Sequence, residues 1–279
     1  MSIAFYNGDF CSLEEVRIPL SDRCIFFGDG IYDAAVGRNG NIYLKDEHIE
    51  RFFENAKRTE IKCQYKKSEL SRLLDEAVDK GEEECFFIYF QLSRYSEVRR
   101  HAYEKNCASN LLITVTPQEL SYCDKRLKLV TREDLRYQYC NIKTLNLLPS
   151  VLASGYAEAK GADEAVFHRK DIVTECAHSN ISIITKGALK THPNGPLILP
   201  GIARKKLIEK CDELNIPIEI SPFSLEELYS ADEVIVTSSS KICLLCESVN
   251  SVHYKHQKNS IGMRLKNALW ADFLKATEK

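Results

Sequence analysis

At 279 residues the chain is long enough to bury a substantial core in one large domain or two smaller ones. A formal charge of -2 and a pI near 6.4 give no electrostatic pull toward nucleic acid or anionic lipid. The start, MSIAFYNGDF, has no basic region followed by an apolar one, and no apolar run approaches the ~20 residues of a membrane span; the expected setting is cytoplasmic, with the 11 cysteines as reduced thiols.

Residues 3–6 and 16–18 read as short strands on either side of the Asn7-Gly8 turn signal. Gly28-Asp29-Gly30 marks a tight turn into a strand, Ile31 to Val36; the two glycines make no GxGxxG pattern, so no dinucleotide loop is expected. Asn39-Gly40 closes a hairpin with Ile42 to Leu44. Asp46 is a good N-cap for a helix that carries Ile49, Phe52, Phe53 and Ala56 inward and leaves His48 and Arg51 on its surface. A second helix runs from about Ser68 to Lys80 and stops at Gly81, and strands follow at Phe86 to Ser93 and Leu111 to Thr116. Between these strands a loop concentrates Arg94, Arg99, Arg100 and His101. It is either a solvated basic loop or a trap for carboxylates, which arginine's planar fork binds at two points. The apolar pattern lapses over 117–124, the expected linker.

After a strand at Leu127 to Val130, the segment Asn141 to Pro149 presents Lys143 at the junction between a short apolar stretch and a helix. The helix's apolar positions Leu148, Val151, Leu152, Gly155, Tyr156 and Ala159 recur at helical spacing; Pro149 suits the first turn and Gly161 the stop. A hairpin, Glu164 to His168 with Ile172 to Thr174, delivers Glu175 at a strand end, and Ile181 to Thr185 forms the next strand. Leu199-Pro200-Gly201-Ile202-Ala203-Arg204 opens a helix to about Leu214, whose first N–H groups lie just past a glycine and form an anion site. The strand Glu233 to Thr237 ends in Ser238-Ser239-Ser240, hydroxyls able to serve the same anion, and Ile261 to Lys275 is an amphipathic closing helix. Cys243-Leu244-Leu245-Cys246 is a lone CxxC with no second pair at zinc-site spacing; it reads as core, and no metal is expected.

A lysine held on rigid supports, a carboxylate at a strand end, a glycine-opened helix start and a hydroxyl cluster are the fittings that pyridoxal 5′-phosphate requires: an amine for the Schiff base, a partner for the pyridine nitrogen, and donors for the phosphate. At this point the sequence resembles the fold-type IV pyridoxal-phosphate enzymes, which include D-amino-acid aminotransferase, branched-chain aminotransferase and aminodeoxychorismate lyase. The resemblance spans nearly the whole chain: Asp22-Arg23, FGDGIY (Phe27 to Tyr32), EHIERF (Glu47 to Phe52), IKTLNLLPSVLA (Ile142 to Ala153), TECAHSN (Thr174 to Asn180), LPGIAR (Leu199 to Arg204) and TSSS (Thr237 to Ser240). It implies an α/β fold of two domains, a small one over 1–118 and a larger one over 119–279 that carries the cofactor lysine.

Carried over residue by residue, the resemblance makes Lys143 the catalytic Schiff-base lysine and Glu175 the partner of the ring nitrogen. Arg51, the backbone of Ile202 and Ala203, and Ser239 would contact the phosphate, Leu199 would pack against the ring, and His178 would stand where relatives place a phosphate hydroxyl. Among the family, D-amino-acid aminotransferase is the nearest in pattern: Tyr32 matches its tyrosine and Arg99-Arg100-His101 its R-x-H loop. In that relative these side chains bind the substrate carboxylate, the loop coming from the second subunit of a homodimer. Asp33 stands where the D-specific enzymes carry glutamate, and it bears on the size of the pocket floor. The implied reaction is a ping-pong exchange between D-alanine or D-glutamate and 2-oxoglutarate or pyruvate. Alternatives are a branched-chain L-amino-acid aminotransferase, a lyase acting on an amino-chorismate, which the absence of a threonine in Tyr32-Asp33-Ala34-Ala35 disfavours, and a non-catalytic binding protein in which Lys143 is structural.

Overall fold

The structure is a computed structural model that describes residues 2–120, 124–255 and 257–279. Part of the expected linker, residues 121–123, lies outside the described residues. The chain divides into two compact units, one of Met1–Ser121, Ile142–Asn146 and Leu274–Lys279, the other of Tyr122–Asn141 and Leu147–Phe273. The segment around Lys143, expected with the larger C-terminal part, therefore counts with the first unit. Tyr32 N donates to Lys143 O at 2.9 Å and Leu145 N to Gly30 O at 3.1 Å, pinning the segment to the start of a strand there.

In the first unit, β1 (Ile3–Tyr6), β2 (Asp9–Ser12), β3 (Gly30–Arg38), β4 (Asn41–Ile42), β5 (Cys85–Ser93) and β6 (Asn110–Pro117) form a six-stranded sheet in the order β2-β1-β6-β5-β3-β4. The strand expected at 16–18 is instead β2: Asn7 (φ 50°) and Gly8 (φ 120°) make a two-residue turn that sets Tyr6 opposite Asp9 at once. A one-turn helix, α1 (Arg23–Phe27), is capped by the Asp22 carboxylate, which accepts from Cys24 N at 2.9 Å. Helix α2 (Lys45–Arg58) starts from left-handed Leu44 rather than from Asp46, after a two-residue turn from β4; Asp46 and Glu47 sit in its first turn, where they suit the helix dipole. With α3 (Lys67–Gly81) it covers one face of the sheet, where Phe52, Phe86, Phe90, Leu70 and Leu74 are buried. Strand β5 alternates, Phe86, Ile88, Phe90 and Leu92 facing this core while Phe87, Tyr89 and Gln91 take the other face.

The second unit is built on a mixed sheet of β7 (Leu127–Glu133), β8 (Glu164–Arg169), β9 (Ile172–Cys176), β10 (Asn180–Thr185), β11 (Ala188–Thr191), β12 (Ile218–Ile220), β13 (Phe223–Ser224), β14 (Glu233–Ser238) and β15 (Ile242–Val249), in the order β12-β11-β10-β14-β15-β7-β8-β9-β13, with β16 (Val252–His253) on β15. Parallel β7 and β8 are joined through α4 (Leu148–Ala159), which buries only Ala153 and Ala157, against Ala165, Phe167 and Ala177. Its expected apolar stripe faces outward, with Leu148 68%, Val151 61% and Leu152 56% exposed. Periodicity says which residues share a face; the small alanines decide which face can approach the sheet closely. Helices α5 (Ile202–Glu213), α6 (Leu225–Ser230) and α7 (Ile261–Ala276) complete the chain. Cys243 and Cys246 lie on β15, buried, and their three-residue spacing on a strand sends the two sulfurs to opposite faces. The described cysteines are all free thiols, and no helix among the described residues is long and apolar enough to cross a membrane.

Candidate active site

Lys143 does not end a regular strand. It lies in an irregular segment whose next residue, Thr144, forms an isolated antiparallel bridge with Ile31. Gly30 is glycine because an added Cβ would come within 2.7 Å of Leu145 Cδ1 and of Leu92 O, so the close approach that seats the lysine depends on it. Lys143 Nζ stands 4.3 Å over the centre of the Tyr32 ring and makes no ion pair among the described residues. Tyr32 stacks in turn on Tyr89 (5.3 Å, 27°), its diagonal neighbour across the β3–β5 pairing.

On the opposite face of β3, Asp33 has no exposed surface. Arg51 grips it with Nε to Oδ2 and Nη2 to Oδ1, both at 2.8 Å, and His48 Nδ1 lies 2.7 Å from Oδ1. His48 and Arg51, expected on the surface of α2, are thus both buried, because the first turns of the helix lie over a buried carboxylate. Burial works against Asp33's charge, but Arg51 and His48 beside it hold the carboxyl well below the ordinary range. Burial likewise lowers His48's proton affinity, only partly opposed by Asp33. Asp33 is an internal counter-ion, not an exposed pocket floor.

The basic loop divides in two. Arg94 is buried on Asp29 (Nε to Oδ2, 2.9 Å), donates to Glu60 O and Thr59 O, and lies 3.7 Å over Tyr103: it is part of the scaffold. Arg100 is spent on Glu97 and Glu104. Arg23 holds the loop backbone by donating to Arg100 O and His101 O. The Arg99 guanidinium, by contrast, lies 5.1 Å over the Phe27 ring and pairs with no carboxylate among the described residues; the His101 ring packs 5.1 Å from the same phenyl group.

In the second unit Glu175 sits inside β9, buried. Its Oε2 accepts from Asn180 Nδ2 at 2.9 Å and from Leu199 N at 3.0 Å, while Oε1 takes a short contact from Arg136 Nη1. Burial pushes the carboxyl up to about 7 in spite of Arg136. Arg136 was not legible as a site residue: it is an isolated arginine in a loop, 39 residues from its partner. The Asp134-x-Arg136 spacing is its one local signal, since Asp134 fixes Arg136 Nε and Nη2 at 2.9 Å each.

Helix α5 opens after Gly201 with no side-chain cap, so the N–H groups of Ile202 and Ala203 point out of the helix start. Asn180 fills the space that a Cβ on Gly201 would need, its Oδ1 only 1.9 Å from that position. Thr237, opposite Asn180 in the β10–β14 pairing, has a buried hydroxyl with no hydrogen-bond partner among the described residues. Ser238 and Ser240 bond each other at 3.3 Å, and the Ser239 hydroxyl between them bonds no other described residue. His178 lies on the β9–β10 turn, half exposed, with Nδ1 3.3 Å from Oε1 of the fully buried Glu164, whose Oε2 is 3.9 Å from Lys241 Nζ.

A two-unit α/β fold, an amine with no ion pair among the described residues and, within the second unit, a buried carboxyl of raised proton affinity near an uncapped helix start are features that pyridoxal-phosphate chemistry calls for. The family described as Amino-transferase class IV matches residues 30–249. A D-alanine aminotransferase of Staphylococcus aureus (strain MSSA476) is 36% identical over 243 residues, 86% of each chain. One from Listeria monocytogenes serotype 1/2a (strain 10403S) is 33% identical over 238 residues, 84% of this chain and 82% of its own. Among solved structures, a branched-chain aminotransferase from Thermoproteus uzoniensis superposes with a TM-score of 0.89 at 22% identity, covering 99% of this chain and 96% of that one. The chain belongs to the class IV aminotransferases and is a pyridoxal 5′-phosphate-dependent aminotransferase. Its residues fit the cofactor: the orphaned Thr237 hydroxyl and uncapped α5 suit a phosphate, and Glu175 retains acceptor capacity for a ring N–H.

Proposed function

We propose that the protein exchanges amino groups between D-amino acids, D-alanine or D-glutamate, and 2-oxoglutarate or pyruvate, by a ping-pong reaction in a cytoplasmic homodimer. The observation that carries this reading is Arg99: alone among the arginines of its loop it has its fork unspent, and with His101 on the shared Phe27 ring it suits an incoming carboxylate. The identity to D-alanine aminotransferases supports it.

Pyridoxal 5′-phosphate supplies an electron sink that makes the substrate α-hydrogen acidic. Lys143 would provide the amine that anchors it and a base for the α-proton. Glu175 Oε1 would accept from the ring nitrogen. The N–H groups of Ile202 and Ala203, the Ser239 hydroxyl and Arg51, oriented by Asp33, would hold the phosphate, with His178 as a further donor and Leu199 packing against the ring. Tyr32, Arg99 and His101 hold the substrate carboxylate, Arg99 and His101 from the partner subunit's loop. The exposed Leu148, Val151 and Leu152 of α4 support a homodimer.

The test is a half-reaction: the loaded protein is mixed with D-alanine and separately with L-leucine while the yellow absorption of the bound cofactor is followed. Conversion by D-alanine alone is the expected outcome; conversion by L-leucine alone moves the protein to the branched-chain group and discards the Arg99 assignment. Borohydride reduction is expected to fix a pyridoxyl group on Lys143 and none in Lys143→Ala.

A further inference from the structure

We propose that Arg136 is a positioning residue for this reaction, acting on the cofactor ring through Glu175: it fixes which carboxylate oxygen is offered and favours its charged form. The inference rests on the ring-partner role given to Glu175 and extends it to a side chain that role does not include.

A carboxylate has about four acceptor places, two on each oxygen. Both places on Oε2 are taken, by Asn180 Nδ2 at 2.9 Å and Leu199 N at 3.0 Å. Among the described residues Oε1 accepts from Arg136 Nη1 alone. One place therefore remains, on Oε1, and its direction is set by the guanidinium that occupies the other. Arg136 cannot swing to release it. Asp134 grips Nε through Oδ1 and Nη2 through Oδ2, Leu197 O accepts from Nη2 at 3.2 Å, and the guanidinium carbon lies 4.6 Å over the Phe167 ring. Asp134 is itself braced by Arg169 at 3.2 Å and the Thr174 hydroxyl at 3.0 Å.

The charge argument points the same way. Burial drives Glu175 toward its neutral form, and a neutral carboxyl cannot stabilise a protonated ring nitrogen. Of the charged and titratable groups that interact with it, Asp134 and the Cys140 and Cys176 thiols carry or acquire negative charge and favour the neutral form, whereas Arg204 and Arg136 favour the anion. Among the described charged groups, only Arg136 touches the carboxylate.

The test follows the Glu175 carboxyl by carbon-13 NMR in the cofactor-free protein, the resonance being assigned by its loss in Glu175→Gln. Arg136→Met is expected to raise the titration midpoint by at least about one pH unit, a tenfold gain in proton affinity. Pyridoxal phosphate binding by the same variant is expected to weaken near neutral pH and recover as pH is raised, a dependence that a purely structural arginine does not produce. Arg136→Lys, which restores charge but not the fork, is expected to bring the midpoint back toward wild type. A folded Arg136→Met with the wild-type midpoint overturns the proposal. If Arg136→Met does not fold, Arg136→Gln carries the same measurement with the same expected direction, and failure of both to fold assigns Arg136 to the scaffold instead. Should the wild type gain no pyridoxyl group on Lys143, the reading of the site fails separately, while the titration still decides whether Arg136 governs Glu175.

Discussion

Asp33 shows how much one carboxylate can hold together. It is enclosed by β3 and α2 and is gripped by Arg51 and His48. Removing the charge leaves a buried guanidinium facing a neutral group, which costs about 3–5 kcal/mol. Urea unfolding of Asp33→Asn is expected to show a loss of that order, and a loss under about 1 kcal/mol would mean that water replaces the carboxylate. Asp33 and Glu175 also tilt the pH dependence of stability in opposite senses. Asp33 titrates in the fold well below its unfolded value, so its contribution is complete above about pH 4 and is lost on acidification. Glu175 titrates in the fold at about 7, and the folded state keeps its proton where the unfolded chain, with a value of about 4.3, has released it. That contribution is complete below about pH 4 and is lost as pH rises to about 7. Melting temperatures of the cofactor-free protein are therefore expected to decline over this interval, and less steeply in Glu175→Gln; equal slopes would remove Glu175 from the account. At this scale motifs singled out Lys143 and Glu175, which the structure places, respectively, over the Tyr32 ring and, buried, against Arg136. The sequence was mute about Arg136, and it misplaced His48 and Arg51, because ion pairing across distant segments leaves no periodic trace.

Elements with strong periodicity were read closely. The helix expected at 68–80 is α3 (Lys67–Gly81), and the strands expected at 86–93 and 111–116 are β5 and β6 within a residue or so at each end. Short elements set by turns were not: α1 is one turn held by its Asp22 cap, and β2 follows its tight turn without a gap. The start of α5 is the element on which the phosphate reading depends, and Gly201 there is a matter of space rather than conformation. With φ -68° and ψ 134° its backbone suits any residue, but Asn180 Oδ1 occupies the place of a side chain. Gly201→Ala is expected to push Asn180 aside, breaking its bonds to Glu175 Oε2 and Leu199 O, and to weaken pyridoxal phosphate binding by about tenfold or more, the worth of one charge-assisted hydrogen bond. Equilibrium dialysis against the cofactor measures it, and unchanged affinity would show that Asn180 is not needed to shape this site.

For the whole molecule the open quantity is its assembly. Helix α4 turns Leu148, Val151 and Leu152 outward, and Leu135, Tyr137 and Tyr139 of the same unit are 69–70% exposed. In the proposed homodimer this apolar surface is covered, so Leu148→Glu combined with Leu152→Glu is expected to shift sedimentation from dimer toward monomer and to depress the D-alanine half-reaction with it. A wild-type monomer at working concentration would refute the shared-loop arrangement.

The route of the chain through its two units has a consequence for how it is made. The first unit is not contiguous: besides the N-terminal stretch it needs Ile142–Asn146, which bridges to β3, and Leu274–Lys279, where Thr277 O and Glu278 O accept from the side chains of Asn39 and Asn41. A nascent chain that has just passed the linker thus holds a sheet still lacking its lysine segment, which follows the first stretch of the second unit, and its last turn of helix, which follows the rest of that unit. The lysine segment is seated against β3, a strand made well before it, and the side chains of Asn39 and Asn41 meet their carbonyl partners Thr277 and Glu278 last. Order of synthesis and order of completion are inverted in this protein, and the part begun first is the part finished last.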